Sequence, residues 1–367
     1  MKKKFDFITV ILPCLTVLIL SLAFFALPDK EISEKENRTL AKFPVFNEQN
    51  LISGRFTSDL TDYISDQFPM RDMFISAKAY SELLFGKNEN NGVIYGKNNT
   101  LIARDKITEN RLVKNLETVK NFEKEAAKDV VLAVLPRSVD VFSENLPKTY
   151  SAKEDKSLWN DFYAKSQELN LKTPNLYTPL CEGNNYYKTD HHYTTYGAYQ
   201  TYIILGDVLG FAPVGIENFK QEIASDNFCG TSMRKSGFYL SPHDKITLLR
   251  YDGDTDYTVT ADGKKISLYD FSALDKTDKY SVFLGGNHAR VDICSHNQKP
   301  KLLIVRDSFA DSISPFLAIH YDLVLIDLRY YNDSVKQIVK DENIDAVLIF
   351  ESMSEFAQSK NISYLRR

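Results

Sequence analysis

The sequence predicts an α/β fold built around a parallel sheet, and three observations predict it. Four short runs are apolar almost throughout: VVLAVLP (Val130–Pro136), KLLIVRDS (Lys301–Ser308), DLVLIDL (Asp322–Leu328) and DAVLIF (Asp345–Phe350). Runs of Val, Ile and Leu without polar alternation are the pattern of strands covered on both faces. Helix-sized segments separate the last three runs, so strands and helices alternate. Asn110–Ala127, just before the first run, places Leu112, Leu116, Val119 and Phe122 on one helical face.

The elements follow in order. Phe7–Leu27 (FITVILPCLTVLILSLAFFAL) has no charge, follows Lys2, Lys3 and Lys4, and at about 1.5 Å per residue spans a bilayer core of roughly 30 Å. A globular helix would turn a polar face within two turns, and this stretch does not. It reads as an uncleaved signal anchor, with a cleaved signal peptide as the competing reading. The leading lysines place the N-terminus inside and the rest of the chain outside the cytoplasm. Residues 1–28 are thus the cytoplasmic lysines and anchor, residues 29–55 a polar juxtamembrane linker, and residues 56–367 the α/β domain.

Phe56–Phe85 carries helical spacing interrupted at Pro69, and GVIYGKNNTLIAR reads as a hairpin. Further helices are expected at Ser157–Glu168 and Thr195–Leu209. From about residue 210 to 297 the chain turns polar, with alternating runs such as YTVTADGKKISLY, and reads as a β-rich insertion or lid.

Composition excludes several function classes. The 367 residues are 43% hydrophobic and 26% charged, with 15 Gly, 12 Pro and 4 Cys, which excludes disordered, collagen-like and small disulfide-framework chains. With 45 basic against 49 acidic residues the net charge is −4, so the field expected of a nucleic-acid binder is missing. Removing residues 1–27 removes three lysines and Asp6, leaving −6 on the remainder. Outside the apolar stretch lie Cys181, Cys229 and Cys294, an odd number that allows at most one disulfide among them and matches no zinc spacing.

Two sequence features can carry chemistry. In open α/β sheets catalytic groups collect at the carboxyl ends of strands, and Asp307 and Ser308 directly follow such a run in LLIVRDSFADS. The serine is either an exposed nucleophile, with the amides of the following turn facing an oxyanion, or a helix N-cap. The second feature is TDHHYTTYGAY (Thr189–Tyr199), which holds two of the six histidines. Asp190 and His192, two apart, point the same way on an extended segment, so the carboxylate can take Nδ1–H and leave Nε2 as a base. Alternatively Asp190, His191 and His192 ligate a metal, or Thr194 or Thr195 caps the following helix. Together, Ser308, His192 and Asp190 are the parts of a Ser-His-Asp acyl-transfer centre. A carboxylate of ordinary pKa near 4 stays ionised and orients an imidazole of ordinary pKa near 6.5, which deprotonates the serine.

The ordered motifs ENRTLAKFP, DQFPMRD, GVIYGK, TDHHYT and LLIVRDSFADS resemble the bacterial DHHW family, related to alginate O-acetyltransferase-like SGNH proteins. Tyr193 stands where that family's motif has Trp. The resemblance implies an SGNH-hydrolase-like, flavodoxin-like parallel sheet with flanking helices. It also implies O-acetyl transfer onto, or removal from, an exported polysaccharide, at Ser308, His192 and Asp190, without a cofactor. Relatives of this kind often work with a multi-pass membrane acyltransferase that supplies acetyl groups. A noncatalytic carbohydrate-binding or assembly protein with the same fold is the alternative.

Other candidates are positional. Asn287 in GGNHAR can donate to an oxyanion, though Gly-Gly-Asn is first of all a turn. Arg329 follows the strand Asp322–Leu328 at the same sheet edge, facing substrate or forming a salt bridge. Arg306 precedes the Asp-Ser pair with its side chain aimed away. Tyr193, Tyr196, Tyr330 and Tyr331 can stack on sugar rings, against a background of 21 tyrosines that mostly pack.

Overall fold

The computed structural model describes residues 2–33, 38–150 and 153–367. Glu36 and Asn37, which begin the ENRTLAKFP motif, lie outside the described residues. Asn88–Met233 with Leu240–Arg367 forms one compact unit, and the chain up to Lys87 with Arg234–Tyr239 forms another.

The larger unit is organised on a seven-stranded sheet. In chain order its strands are β1 (Val130–Leu135), β2 (Tyr257–Ala261), β3 (Lys264–Ile266), β4 (Arg290–Ser295), β5 (Lys301–Arg306), β6 (Asp322–Ile326) and β7 (Ala346–Ser352). Their spatial order is β3-β2-β4-β6-β5-β7-β1. The four apolar runs form the parallel half. β5 lies between β6 and β7, with Val305 opposite Ile326 and Leu302 opposite Ala346, and β7 pairs with β1 through Val347 and Val130.

Those runs are apolar throughout because both faces are covered. In β5, Leu302 and Ile304 join one core while Leu303 and Val305 join the other. In β7, Leu348 and Phe350 alternate likewise with Val347 and Ile349. Leu112, Leu116, Val119 and Phe122, from the helix Leu112–Ala126, are buried on the second face as their spacing predicts.

The sheet is mixed and not purely parallel, which corrects the flavodoxin-like expectation. β2, β3 and β4 add an antiparallel half, with Arg290 of β4 opposite Ile326 of β6. All three come from the polar 210–297 segment, whose alternation marks strands with one buried side: Val259 and Ala261 are buried while Tyr257, Thr258 and Thr260 are not. The same segment supplies a separate antiparallel pair, Lys220–Phe228 with Asp244–Arg250. The expected GVIYGK hairpin forms with Tyr95 opposite Leu101, its turn passing through Asn98 and Asn99 at positive φ. Cys181, Cys229 and Cys294 are all free thiols.

In the smaller unit, Lys2–Ala26 is one helix, here α1, and its Thr9–Ala26 stretch has a mean hydropathy of 2.5 with no part buried. It is long and apolar enough to cross a membrane. The expected break at Pro69 separates the helices Arg55–Gln67 and Arg71–Leu84, with Met70 at φ 58°. The polar stretch after α1 is tied to the first of these. Tyr63 donates to Asp29 at 2.9 Å, and Gln67 bonds the Lys30 amide and the Ala41 carbonyl. Arg38 pairs with Asp66, and its hydrogen bond holds that carboxyl below its ordinary range.

Candidate active site

The serine is placed by the end of β5. The Asp307 amide donates to the Phe350 carbonyl, continuing the β5–β7 ladder one residue further. The Asp307 carboxylate then accepts the Phe309 amide at 3.0 Å and the Ser352 amide at 2.8 Å, pinning the turn to the end of β7. Ser308 stands half-buried at this strand-to-helix junction, ahead of the buried helix Ala310–Leu317. Its hydroxyl caps nothing, which disposes of the N-cap reading.

The histidine arrives on a closed loop. The Tyr187 amide donates to the His192 carbonyl and the Thr194 amide to the Asn185 carbonyl, while Thr194 also caps the helix Thr195–Leu209 through the Gly197 amide. The helix cap and the candidate residues Asp190 and His192 therefore share one motif. Asp244 fixes the loop from outside, taking the Lys188 amide, the Thr189 amide at 2.7 Å and the Thr189 hydroxyl at 2.6 Å. Gly230 lets a second segment lie against it: a Cβ there would sit 2.4 Å from the Thr189 carbonyl oxygen and 2.5 Å from Asp190 Cβ. Thr231 then donates its amide to Asp190 Oδ2 at 2.6 Å.

The three groups meet in line. His192 Nδ1 lies 2.6 Å from Asp190 Oδ1, and Nε2 lies 2.8 Å from Ser308 Oγ. A carboxylate only accepts, so Nδ1 carries the proton and Nε2 is left to accept from the serine hydroxyl. Asp190 is 1% exposed. Burial opposes its charge, but His191, His192 and the hydrogen bonds from His192 and Thr231 outweigh that and hold its carboxyl well below the ordinary range. His191 lies 3.5 Å from Asp190, and burial together with His192 pushes its imidazole below the ordinary value.

Asp190, His191 and His192 also offer ligand atoms within 4.8 Å of one another. Yet both His192 nitrogens are engaged, and both Asp190 oxygens accept hydrogen bonds. With these bonds in place the donor set suits a proton relay.

The amides of the turn after Ser308 do not face an open site as expected. Phe309 N–H goes to the Asp307 carboxylate, Ala310 N–H to the Asp307 carbonyl and Asp311 N–H to the Ser308 carbonyl. The Ser308 amide itself has no partner among the described residues.

The remaining candidates are placed elsewhere. Tyr193 is fully buried and donates to the Phe309 carbonyl at 2.6 Å, so it braces the serine turn and offers no ring face to a sugar. Arg329 forms the salt bridge of its two readings, with Nε and Nη2 on the Asp327 carboxylate. Asn287 is exposed in a turn whose neighbour His288 bonds Asp262 and the Leu284 carbonyl. Arg306 is fully buried and meets Asp311 at 2.9 Å as an ion pair without hydrogen-bond alignment. Burial outweighs that pairing and raises the Asp311 carboxyl to about 7.

Comparison with known proteins gives matches at the level of family and fold. A family model described as DHHW protein matches residues 181–326, the span holding Asp190, His192 and Ser308. A second, described as SGNH hydrolase-like domain, acetyltransferase AlgX, matches residues 95–230. The chain is a relative of the DHHW proteins. The probable alginate O-acetylase AlgJ of Pseudomonas putida is 22% identical over 171 residues, covering 43% of this chain and 44% of that one. Its counterpart in Pseudomonas syringae is 23% identical over 174 residues, 44% of each. This DHHW relative thus matches less than half the length of those curated proteins. Among solved structures, a DHHW family protein from Eubacterium siraeum has a TM-score of 0.63 at 21% identity, covering 76% of this chain and 96% of that one. PatB1 of Bacillus cereus, solved with a sulfonyl adduct, has a TM-score of 0.62 at 19% identity, covering 74% and 99%. These two establish a shared fold.

Proposed function

We propose that this DHHW relative is an extracytoplasmic O-acetyltransferase, or acetylesterase, acting on an exported or cell-surface polysaccharide. The observation that carries the reading is the continuous line from Asp190 through His192 to Ser308 Oγ. The AlgX-type domain match and the AlgJ relatives favour acetyl transfer as the chemistry, and α1 supplies a tether to the membrane.

The reaction follows from the proton positions. Ser308 Oγ attacks the acetyl carbonyl while its proton passes to His192 Nε2, and Asp190 steadies the imidazolium. The Ser308 amide donates to the tetrahedral oxyanion. Collapse expels the donor's oxygen, which takes the proton from His192 and leaves acetyl-Ser308. A sugar hydroxyl, or water, then gives its proton to His192 and attacks the acyl-enzyme, and Ser308 leaves reprotonated. A multi-pass membrane acyltransferase is the proposed source of acetyl groups.

The test is turnover of p-nitrophenyl acetate with and without oligosaccharide acceptors, read beside mass spectrometry of the trapped protein. Acetyl on Ser308 and loss of turnover in a folded Ser308→Ala variant support the reading. Full activity in that variant excludes it. An inert wild-type chain that binds the oligosaccharide favours the noncatalytic alternative.

A further inference from the structure

We infer that Tyr280 is a positioning residue for the His192 base, an assignment that rests on the serine mechanism above. Tyr280 comes from the polar 210–297 segment, in the short helical turn Lys279–Val282. Its ring lies face-on over the His192 imidazole, with centroids 3.9 Å apart and planes 8° from parallel. Its hydroxyl reaches the other partner of the reaction. It bonds Ser312 Oγ at 3.0 Å and approaches the Ser308 carbonyl at 3.4 Å. One buried side chain therefore touches both the base and the turn that carries the nucleophile.

The stack controls a freedom that the hydrogen bonds leave open. Asp190 holds the Nδ1 end of the imidazole, and the tilt of the ring plane about the Cβ–Cγ bond is left to its packing. Phe309 packs at 4.9 Å with planes 56° apart, and His191 at 4.0 Å and 36°, so neither is parallel to the ring. The parallel face of Tyr280 sets the plane of the imidazole and so aims Nε2 at Ser308 Oγ. An aromatic face also favours the imidazolium that forms as the serine proton arrives. Tyr280 is 6% exposed, and its hydroxyl is held neutral by burial.

The prediction separates ring from hydroxyl. Tyr280→Leu removes the face and should lower kcat for acetyl transfer about 10²-fold, the effect of a misaimed catalytic group, with KM within about twofold. Tyr280→Phe keeps the face and should stay within about fivefold of wild type. The rate of Ser308 sulfonylation by phenylmethanesulfonyl fluoride should fall in parallel with kcat. In that reaction the Oγ–S bond forms, fluoride leaves and His192 takes the proton.

Should the Leu variant unfold, Tyr280→His, planar, against Tyr280→Met, not planar, makes the same comparison. A Leu variant with wild-type kcat overturns the inference, as does one whose loss lies in KM, or a Phe variant as impaired as the Leu variant. Ser308→Ala runs alongside. If it retains turnover the serine mechanism fails, whereas a dead Ser308→Ala beside an unaffected Tyr280→Leu sinks the Tyr280 assignment alone.

Discussion

His192 Nε2 and Ser308 Oγ stand 2.8 Å apart although 116 residues separate them in the chain. Neither residue makes this contact through its own element. The serine is delivered by the end of β5, and the histidine by a loop clamped between Asp244 and the Gly230–Thr231 segment. Most of the testable consequences concern these supports.

Asp190 holds the tautomer of His192. Its carboxyl is depressed against the penalty of burial, chiefly by the neighbouring histidines. A depressed carboxylate contributes stability that is present above the ordinary value near 4 and lost as pH falls through the folded value. Acid unfolding monitored by circular dichroism should therefore begin at higher pH in Asp190→Asn, which lacks that contribution, than in the wild-type protein. Asn can also present its amide to Nδ1 and leave the proton on Nε2, so kcat should drop by about 10⁴-fold. A variant with near-normal kcat would deny Asp190 its orienting role.

Asp307 anchors the turn that carries Ser308 through two backbone amides. Replacing it by Ala strands two buried amides, those of Phe309 and Ser352, each worth about 1–3 kcal/mol when left without an acceptor. Urea denaturation should show a lower midpoint with an unchanged slope, and Asp307→Asn, which retains an acceptor, should lose less. Equal loss in both variants would mean that the carboxylate charge, and not the pair of amide bonds, does the holding.

Much of this architecture was legible in the sequence because it depends on local pattern. Val130–Leu135, Lys301–Arg306, Asp322–Ile326 and Ala346–Ser352 are apolar on both faces, and the two-residue spacing of Asp190 and His192 puts both on one side of the chain. The supports were not legible. Asp244, Gly230, Thr231 and Tyr280 lie in polar stretches where no periodicity distinguishes a residue that grips a loop from one that faces water. The antiparallel strands of the 210–297 segment were visible as alternation, but alternation does not name the pairing partner. The amides after Ser308 misled for a similar reason: only the folded position of Asp307 reveals that its carboxylate takes the Phe309 donor. For Tyr193 the sequence left sugar stacking and ordinary packing both open, and its ring packs, enclosed by Tyr186 and Phe309.

Gly230 should tolerate no side chain. Its hypothetical Cβ meets backbone carbonyl and Cβ atoms, not the yielding end of a flexible side chain, so either the loop at Thr189–Asp190 or the Gly230 segment must move. Gly230→Ala is expected to destabilise by about 1–3 kcal/mol, the usual range for overpacking, and to slow Ser308 sulfonylation because the displaced Asp190 carries His192 with it. Melting and labelling rates on the same sample check both. Wild-type labelling in a destabilised variant would uncouple the packing from the site.

Asp311 gives the fold a pH dependence opposite in sign to that of Asp190. It is buried behind the serine, facing Arg306 at 2.9 Å, with His192, Asp307 and Asp327 adding smaller influences. Its folded carboxyl sits at about 7, above the ordinary value near 4 that it regains on unfolding. Between those values the unfolded chain releases the proton and the folded chain keeps it. Stability contributed by this group therefore declines as pH rises from about 4 to about 7, by at most about 1.4 kcal/mol per pH unit, and is level above that. Asp311→Asn cannot ionise and should flatten this part of the curve of denaturation midpoint against pH. The comparison is between slopes, so a constant offset from the altered Arg306 contact does not disturb it. Parallel curves for the two proteins would show that Asp311 stays ionised across the range and that Arg306 outweighs its burial.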